Sequence, residues 1–134
     1  MKTEELSISG EWPDLCNKVI EKLVVQEYWY KGAIEEPANV IWLKVEGNWH
    51  RLYFDCGIIF WRVSQKEPNY SMPEPDEEYD YPLIDLTEKY ELDGKQIKKC
   101  EGSAIPSGSQ VTFTFDNNKR IIFKNINDST SIET

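Results

Sequence analysis

Residues 39–64 read NVIWLKVEGNWHRLYFDCGIIFWRVS, and the predicted fold follows mainly from this segment. Its three runs of β-branched and aromatic residues are separated by two short breaks, Gly47-Asn48 and Cys56-Gly57. Pairs of this kind between β-rich runs are typical of two-residue hairpin turns, the first pair more strongly than the second. We therefore predict a β-meander over residues 28–64, in which the strands are antiparallel.

The assumed turns fix which side chains share a face of the meander. With Gly47-Asn48 as the first loop, Leu43 faces Leu52, and with Cys56-Gly57 as the second loop, Leu52 faces Trp61. The face that carries these side chains is almost entirely apolar, and we expect it to pack on a helix. We interpret His50, which falls on this face, as a buried and hydrogen-bonded structural residue rather than a general base.

The opposite face of the meander combines an aromatic row with a basic row: Trp42, Tyr53 and Phe60, and beside them Lys44, Arg51 and Arg62. Opposed like charges destabilise a sheet by a few tenths to about 1 kcal/mol per pair, so the basic row needs an explanation. Three explanations stay open. The acidic residues 74–80, or other acids, lie across the face and neutralise it, or the second turn is longer than assumed, or the face binds a stacked, anionic or sugar-like ligand.

The chain before the meander predicts one helix over residues 13–26. Trp12-Pro13-Asp14 is a helix start signal, because proline suits the first turn and an acid there favours the positive end of the helix. Leu15, Val19 and Leu23 follow at helical spacing.

The chain after the meander predicts a loop and then more strands. Residues 65–82 are rich in proline and acids and read as a long exposed loop. Residues 83–126 predict further strands, including a hairpin over 111–126, and the polar tail after residue 127 is expected to fray. The predicted fold class is α+β in a single domain, 1–134: one N-terminal helix packed on a strongly bent antiparallel sheet of about six strands, open or closing toward a partial barrel.

Composition excludes several classes of protein. The chain has 134 residues, 24 acids and 15 bases, a formal net charge of −9, and 13% aromatic residues. The aromatic content argues against disorder, no apolar run approaches the ~20 residues that cross a bilayer, and no secretory signal is visible. A chain this acidic is disfavoured as a nucleic-acid binder, because phosphate repels it. We expect no nucleic-acid partner and no membrane partner.

Cysteine and histidine usage predicts a cytoplasmic protein without a metal. Cys16, Cys56 and Cys100 are odd in number and far apart, so we expect all three to be reduced and mostly buried. A zinc site needs more ligands at short spacing than three scattered cysteines and one histidine supply. No cofactor and no metal are expected.

The charge points to a function in protein binding. Residues 65–95 hold ten acids and three bases, which is −7 of the total of −9. We predict that a basic protein partner binds there through carboxylates and tyrosine anchors: Asp76, Glu77, Glu78, Tyr79, Asp80 and Tyr81. Because no nucleophile or phosphate-loop motif is present, we expect a non-catalytic domain and no enzyme.

A concrete form of this function is an immunity-type inhibitor that neutralises a basic toxin or nuclease. The alternative is a small-ligand-binding or enzymatic domain that uses the aromatic and basic face described above. A third hypothesis is a structural subunit whose exposed aromatic residues form a homodimer interface, so monomer and homodimer both remain open.

Overall fold

A computed structural model describes residues 6–64, 68 and 78–134, and these residues are almost entirely β-structure. The elements in chain order are β1 Ile8–Ser9, β2 Lys18–Tyr30, β3 Ala33–Val45, β4 Asn48–Asp55, β5 Ile58–Ser64, β6 Tyr79–Asp80, β7 Leu83–Asp85, α1 Leu86–Lys89, β8 Gln96–Ile105, β9 Gly108–Phe115, β10 Arg120–Ile126 and β11 Ser129–Glu133. No helix in the described part of the chain is long and apolar enough to cross a membrane.

The eleven strands form one large mixed sheet that is not closed. Their order is β1-β5-β4-β3-β2-β8-β9-β10-β11, with β6 and β7 pairing β2 beside this path. Only the short pair between β1 and β5 is parallel among the pairs within the described residues. The predicted α+β class with about six strands is therefore wrong.

The predicted helix over residues 13–26 is wrong because most of it belongs to the long central strand β2. This strand pairs β3 along one edge and β6, β7 and β8 along the other. Leu23, Val24 and Val25 are consecutive and all buried, since both faces of β2 are covered at this point. A strand buried on both faces has a continuous apolar run, and its leucines and valines also satisfy a helical stripe.

The core lies between the two arms of the sheet that extend from β2. One arm contains β3, β4 and β5, and the other contains β8 to β11. Trp61 of the first arm lies against Phe113 of the second, with ring centroids 6.4 Å apart. Near the far edge, the Thr130 backbone N–H of β11 donates to the Glu36 carboxylate of β3 at 2.8 Å. The arms thus fold over each other without joining by strand pairing.

The first turn of the meander lies one residue earlier than predicted. Glu46 and Gly47 have φ values of 50° and 77°, so they occupy the turn, and Leu43 faces His50 instead of Leu52. A shift of two residues in the pairing preserves the faces of the sheet, because side chains alternate with a period of two. The second turn is Cys56-Gly57 as predicted, and Leu52 faces Trp61.

The structure also differs from the predictions for the C-terminal tail and for the end of the loop over residues 65–82. The tail after residue 127 does not fray, because β11 pairs β10 through a turn in which Asn127 and Asp128 both have positive φ. Both residue types tolerate that backbone conformation well. Residues 79 and 80, predicted as loop, form β6; the rest of the predicted loop from 65 to 77, except residue 68, lies outside the described residues.

Candidate functional site

Four tyrosines form a cluster where the end of β2 meets β6. The Tyr28 ring stacks with Tyr81 at a centroid distance of 5.3 Å and an interplanar angle of 16°, and with Tyr79 at 6.2 Å and 13°. Tyr30 lies tilted against Tyr79 at 5.3 Å. We call Tyr28, Tyr30, Tyr79 and Tyr81 the tyrosine cluster.

Strand geometry explains why these four rings meet. Tyr28 and Tyr30 are two residues apart on β2, so their side chains point to the same face. In the antiparallel pair of β2 with β6, Tyr30 is opposite Tyr79, and the Lys31 backbone N–H donates to the Glu78 carbonyl at 2.7 Å. Opposed side chains in such a pair are close enough for rings to interact.

The environment of the tyrosine cluster is acidic and partly dry. The pKa of Tyr28 is raised by burial first, and then by the other three tyrosines and by the Glu35 carboxylate. The Tyr28 phenol therefore stays protonated at neutral pH and can donate a hydrogen bond. Tyr79 and Tyr81 are 38% and 36% exposed, which is high for large aromatic residues in contact with other rings. One cation is close, because Lys31 Nζ lies 5.3 Å from the Tyr30 ring centroid.

The structure brings together part of the predicted partner-binding set. Glu78, Tyr79, Asp80 and Tyr81 are all exposed, and the two tyrosines belong to the cluster. The Asp80 carboxylate accepts a hydrogen bond from the backbone N–H of Tyr81 at 2.9 Å. The predicted residues Asp76 and Glu77 lie outside the described residues.

Sequence reasoning missed the contribution of Tyr28 and Tyr30 to this site. The available signal was the aromatic run Tyr28-Trp29-Tyr30, whose alternation places two tyrosines on one face of a strand. What the sequence could not supply is the pairing of this run with Tyr79, some fifty positions away in the chain.

The second predicted set, the aromatic and basic face, is placed differently from the prediction. Because the first turn is shifted, Trp42 faces Arg51, which in turn faces Arg62, so the basic and aromatic rows mix. Tyr53 still faces Phe60, and their rings stack at 4.8 Å with an interplanar angle of 2°. The predicted explanation by a longer second turn is wrong, since the register of β4 with β5 is the assumed one.

Lys44, the third basic residue of the aromatic and basic face, is partly neutralised. Lys44 Nζ lies 3.9 Å from the Glu21 carboxylate and 5.9 Å from the Trp49 ring centroid. The hypothesis that residues 74–80 cover the basic residues is not met by residues 78–80, which lie against β2 and the turn after it instead.

His50 is a structural residue, as predicted. It is 7% exposed, and its Nδ1 accepts a hydrogen bond from the Trp61 indole N–H at 2.9 Å. Burial first, and the nearby charge of Lys18 second, lower the pKa of His50. The folded structure therefore favours the neutral form of His50, and its Nδ1 already accepts the hydrogen bond from Trp61.

One group of side chains within the described residues could offer atoms to a metal ion, and it was not predicted. Asp55, Cys56 and Asp128 place one ligand atom each within 4.8 Å of one another. Cys56 and Asp128 also line a surface hollow of about 580 Å³. All three are exposed, and the adjacent carboxylates raise the pKa of the Cys56 thiol. Metals bind the thiolate form of cysteine, and the two carboxylates favour the protonated thiol of Cys56. The three side chains are therefore poorly suited to hold a metal ion.

The cysteines are free, but the prediction that they are mostly buried is wrong. Cys16 and Cys56 are exposed, and Cys100 is half-buried. Burial raises the pKa of Cys100 to about 12, so this thiol is not nucleophilic at neutral pH.

Comparison of the chain with protein-family models, curated proteins and solved structures found no match.

Proposed function

We propose that this protein is a non-catalytic binding domain that recognises a basic protein through the tyrosine cluster and the carboxylates around it. The concrete form is an immunity-type inhibitor that neutralises a basic toxin such as a nuclease. The single observation that carries this proposal is the tyrosine cluster, in which four rings are in contact and two are more than one-third exposed, in an acidic environment.

The composition of the cluster suits a protein interface. Tyrosine is enriched among the residues that contribute most to protein binding, because it offers a large rigid surface and a polar tip at low entropic cost. Rings already stacked on one another are held in place before the partner arrives. Such preorganisation reduces the entropy lost on binding.

The charge of the protein suits a basic partner. The net charge is −9, and Glu35, Glu78 and Asp80 lie on or next to the elements that carry the cluster. Complementary charge accelerates the encounter, and the tyrosines then become buried in the complex. We place the protein in the cytoplasm, where its three free cysteines would remain reduced.

The test begins with capture of the partner from the producing cells on the immobilised protein, and identification by mass spectrometry. The capture is repeated with Tyr79→Ala plus Tyr81→Ala. We expect a basic protein that the wild type retains and the double variant loses. A captured protein that the double variant retains equally well contradicts the proposal.

The electrostatic part is tested by stopped-flow kinetics with that partner. Glu78→Gln plus Asp80→Asn should reduce the association rate about three- to tenfold at low salt. The matched control is Glu88→Gln plus Asp93→Asn, which removes the same charge from exposed positions outside the cluster. Equal effects of the two pairs, or a rate insensitive to salt, would exclude steering by this patch.

A further inference from the structure

A second surface, on the outer face of β3, β4 and β5, has the opposite chemistry. Arg51 and Arg62 are directly opposite each other on neighbouring strands, and the stacked pair of Tyr53 and Phe60 is beside them. The guanidinium centre of Arg51 lies 5.5 Å from the Tyr53 ring centroid, and that of Arg62 lies 5.8 Å from the Phe60 ring centroid.

The charge of Arg62 is held in place by neutral acceptors. Its Nη1 donates to the Ser9 carbonyl at 2.7 Å and to the Trp61 carbonyl at 3.0 Å, and its Nη2 donates to the Ser9 hydroxyl at 2.9 Å. These contacts fix the guanidinium without neutralising it. No carboxylate forms an ion pair with Arg62 within residues 6–64, 68 and 78–134.

Arg51 differs from the other cations of this face. It is exposed, and in the described ranges of the chain it forms no ion pair and donates no side-chain hydrogen bond. Two like charges that face each other across a sheet repel. An anion placed at Arg51 removes that repulsion and makes charge-assisted hydrogen bonds with the guanidinium fork.

A hollow next to Arg51 offers space for a ligand. It has a volume of about 280 Å³ and is lined by Val40, Trp42, Arg51 and Tyr53. An aliphatic side chain and two aromatic rings thus complement one cation. This volume is just below the usual range for small-molecule sites, so the hollow suits a small ligand with one ring.

We propose that this hollow binds a small aromatic carboxylate, with the carboxylate on Arg51 and the ring against Trp42 and Tyr53. The positive field of Arg62 strengthens the site without direct contact. The proposal is independent of the tyrosine cluster and concerns other residues.

The probe is benzoate, titrated into ¹⁵N-labelled protein and followed by NMR. We expect saturable shifts of the Trp42 indole N–H and of the Arg51 side-chain N–H, and no comparable shifts with benzamide, which has the same ring without the charge. Preference for the anion is informative here, because a protein with net charge −9 repels anions in general. Equal binding of benzamide and benzoate, or no saturable shift up to about 10 mM benzoate, overturns the proposal.

Two variants of equal charge locate the site. Arg51→Gln should weaken benzoate binding at least about tenfold, as expected for loss of a charge-assisted hydrogen bond. Lys44→Gln removes one positive charge from the same face and should weaken binding less than about twofold, because Lys44 is engaged with Glu21. Equal loss in the two variants would mean general electrostatic attraction only. A short acidic peptide that binds this face more tightly than benzoate would instead make it a protein interface, which also overturns the proposal.

Discussion

Protonation of His50 should destabilise the fold, and the size of the effect can be worked out. His50 is buried, and its Nδ1 accepts from the Trp61 indole N–H, which an imidazolium cannot do. Its pKa in the folded protein is lowered, mainly by burial, while in the unfolded chain it is about 6.5. Between these two values the unfolded chain binds more protons, so the free energy of unfolding falls as pH decreases through this window.

The contribution of His50 is complete above pH ~6.5 and decreases below it. The loss between pH 7.5 and pH 5.5 is at most about 1.4 kcal/mol, the value of one pKa unit, because pH 5.5 lies one unit below the pKa of the unfolded chain. The assay is urea unfolding followed by tryptophan fluorescence at pH 7.5, 6.5 and 5.5. His50 is the only histidine in the chain, so the side-chain titration near pH 6.5 belongs to one residue.

The matched variant is His50→Gln, whose side-chain carbonyl can accept from the Trp61 indole but cannot titrate. The difference in unfolding free energy between wild type and this variant should decrease toward pH 5.5, while contributions of the carboxylates cancel. An NMR titration of the imidazole gives the folded pKa directly. A difference that does not change with pH, or a folded pKa at or above 6.5, would refute the reasoning.

Three further predictions concern stability and reactivity. Asp85→Ala should destabilise by about 1–2 kcal/mol at pH 7 in thermal or urea unfolding, because the Asp85 carboxylate caps α1 and lies 2.9 Å from Lys22 Nζ. Burial by itself raises the pKa of Asp85, but the hydrogen bonds with Lys22 and Thr87 and the charge of Lys22 outweigh burial and lower it. The contribution of Asp85 is therefore complete above its ordinary pKa near 3.9, and the cost of the substitution should shrink as pH falls below about 4. Asp128→Asn should accelerate alkylation of Cys56 by iodoacetamide at pH 8, measured by mass spectrometry, because Asp128 helps to raise the pKa of that thiol; an unchanged rate would rule this out. Gly108→Ala should destabilise by about 3 kcal/mol or more in urea unfolding, since an added Cβ would collide with a backbone carbonyl of β10; near-wild-type stability would show that the strands can separate there.

The sequence predicts a strand best where one face of the strand is buried and the other is exposed to solvent. The alternation in Val111-Thr112-Phe113 and along β3 has a period of two, which only a half-buried strand explains. The segment of β2 around Val24 is buried on both faces, so the alternation disappears and helical spacing fits equally well. That ambiguity accounts for the wrong fold class.

The first turn shows a second limit of sequence reasoning. Gly47-Asn48 offers two residues that tolerate positive φ, yet the turn uses Glu46, which has a φ of 50°. The tertiary pairing of β3 with β4 thus overrides the local preference at one position. The candidate site shows the same limit. The sequence identified Tyr79 as an anchor, but it could not predict which residues of β2 lie next to Tyr79, because that pairing joins distant parts of the chain.

The central position of β2 determines how the protein unfolds. Because β2 carries backbone hydrogen bonds to both arms of the sheet, neither arm can detach while leaving β2 with a complete set of partners. Hydrogen exchange should therefore reveal one common opening for the amides of β3 and β8, and proteolytic nicking at an outer hairpin should not liberate an independently folded half.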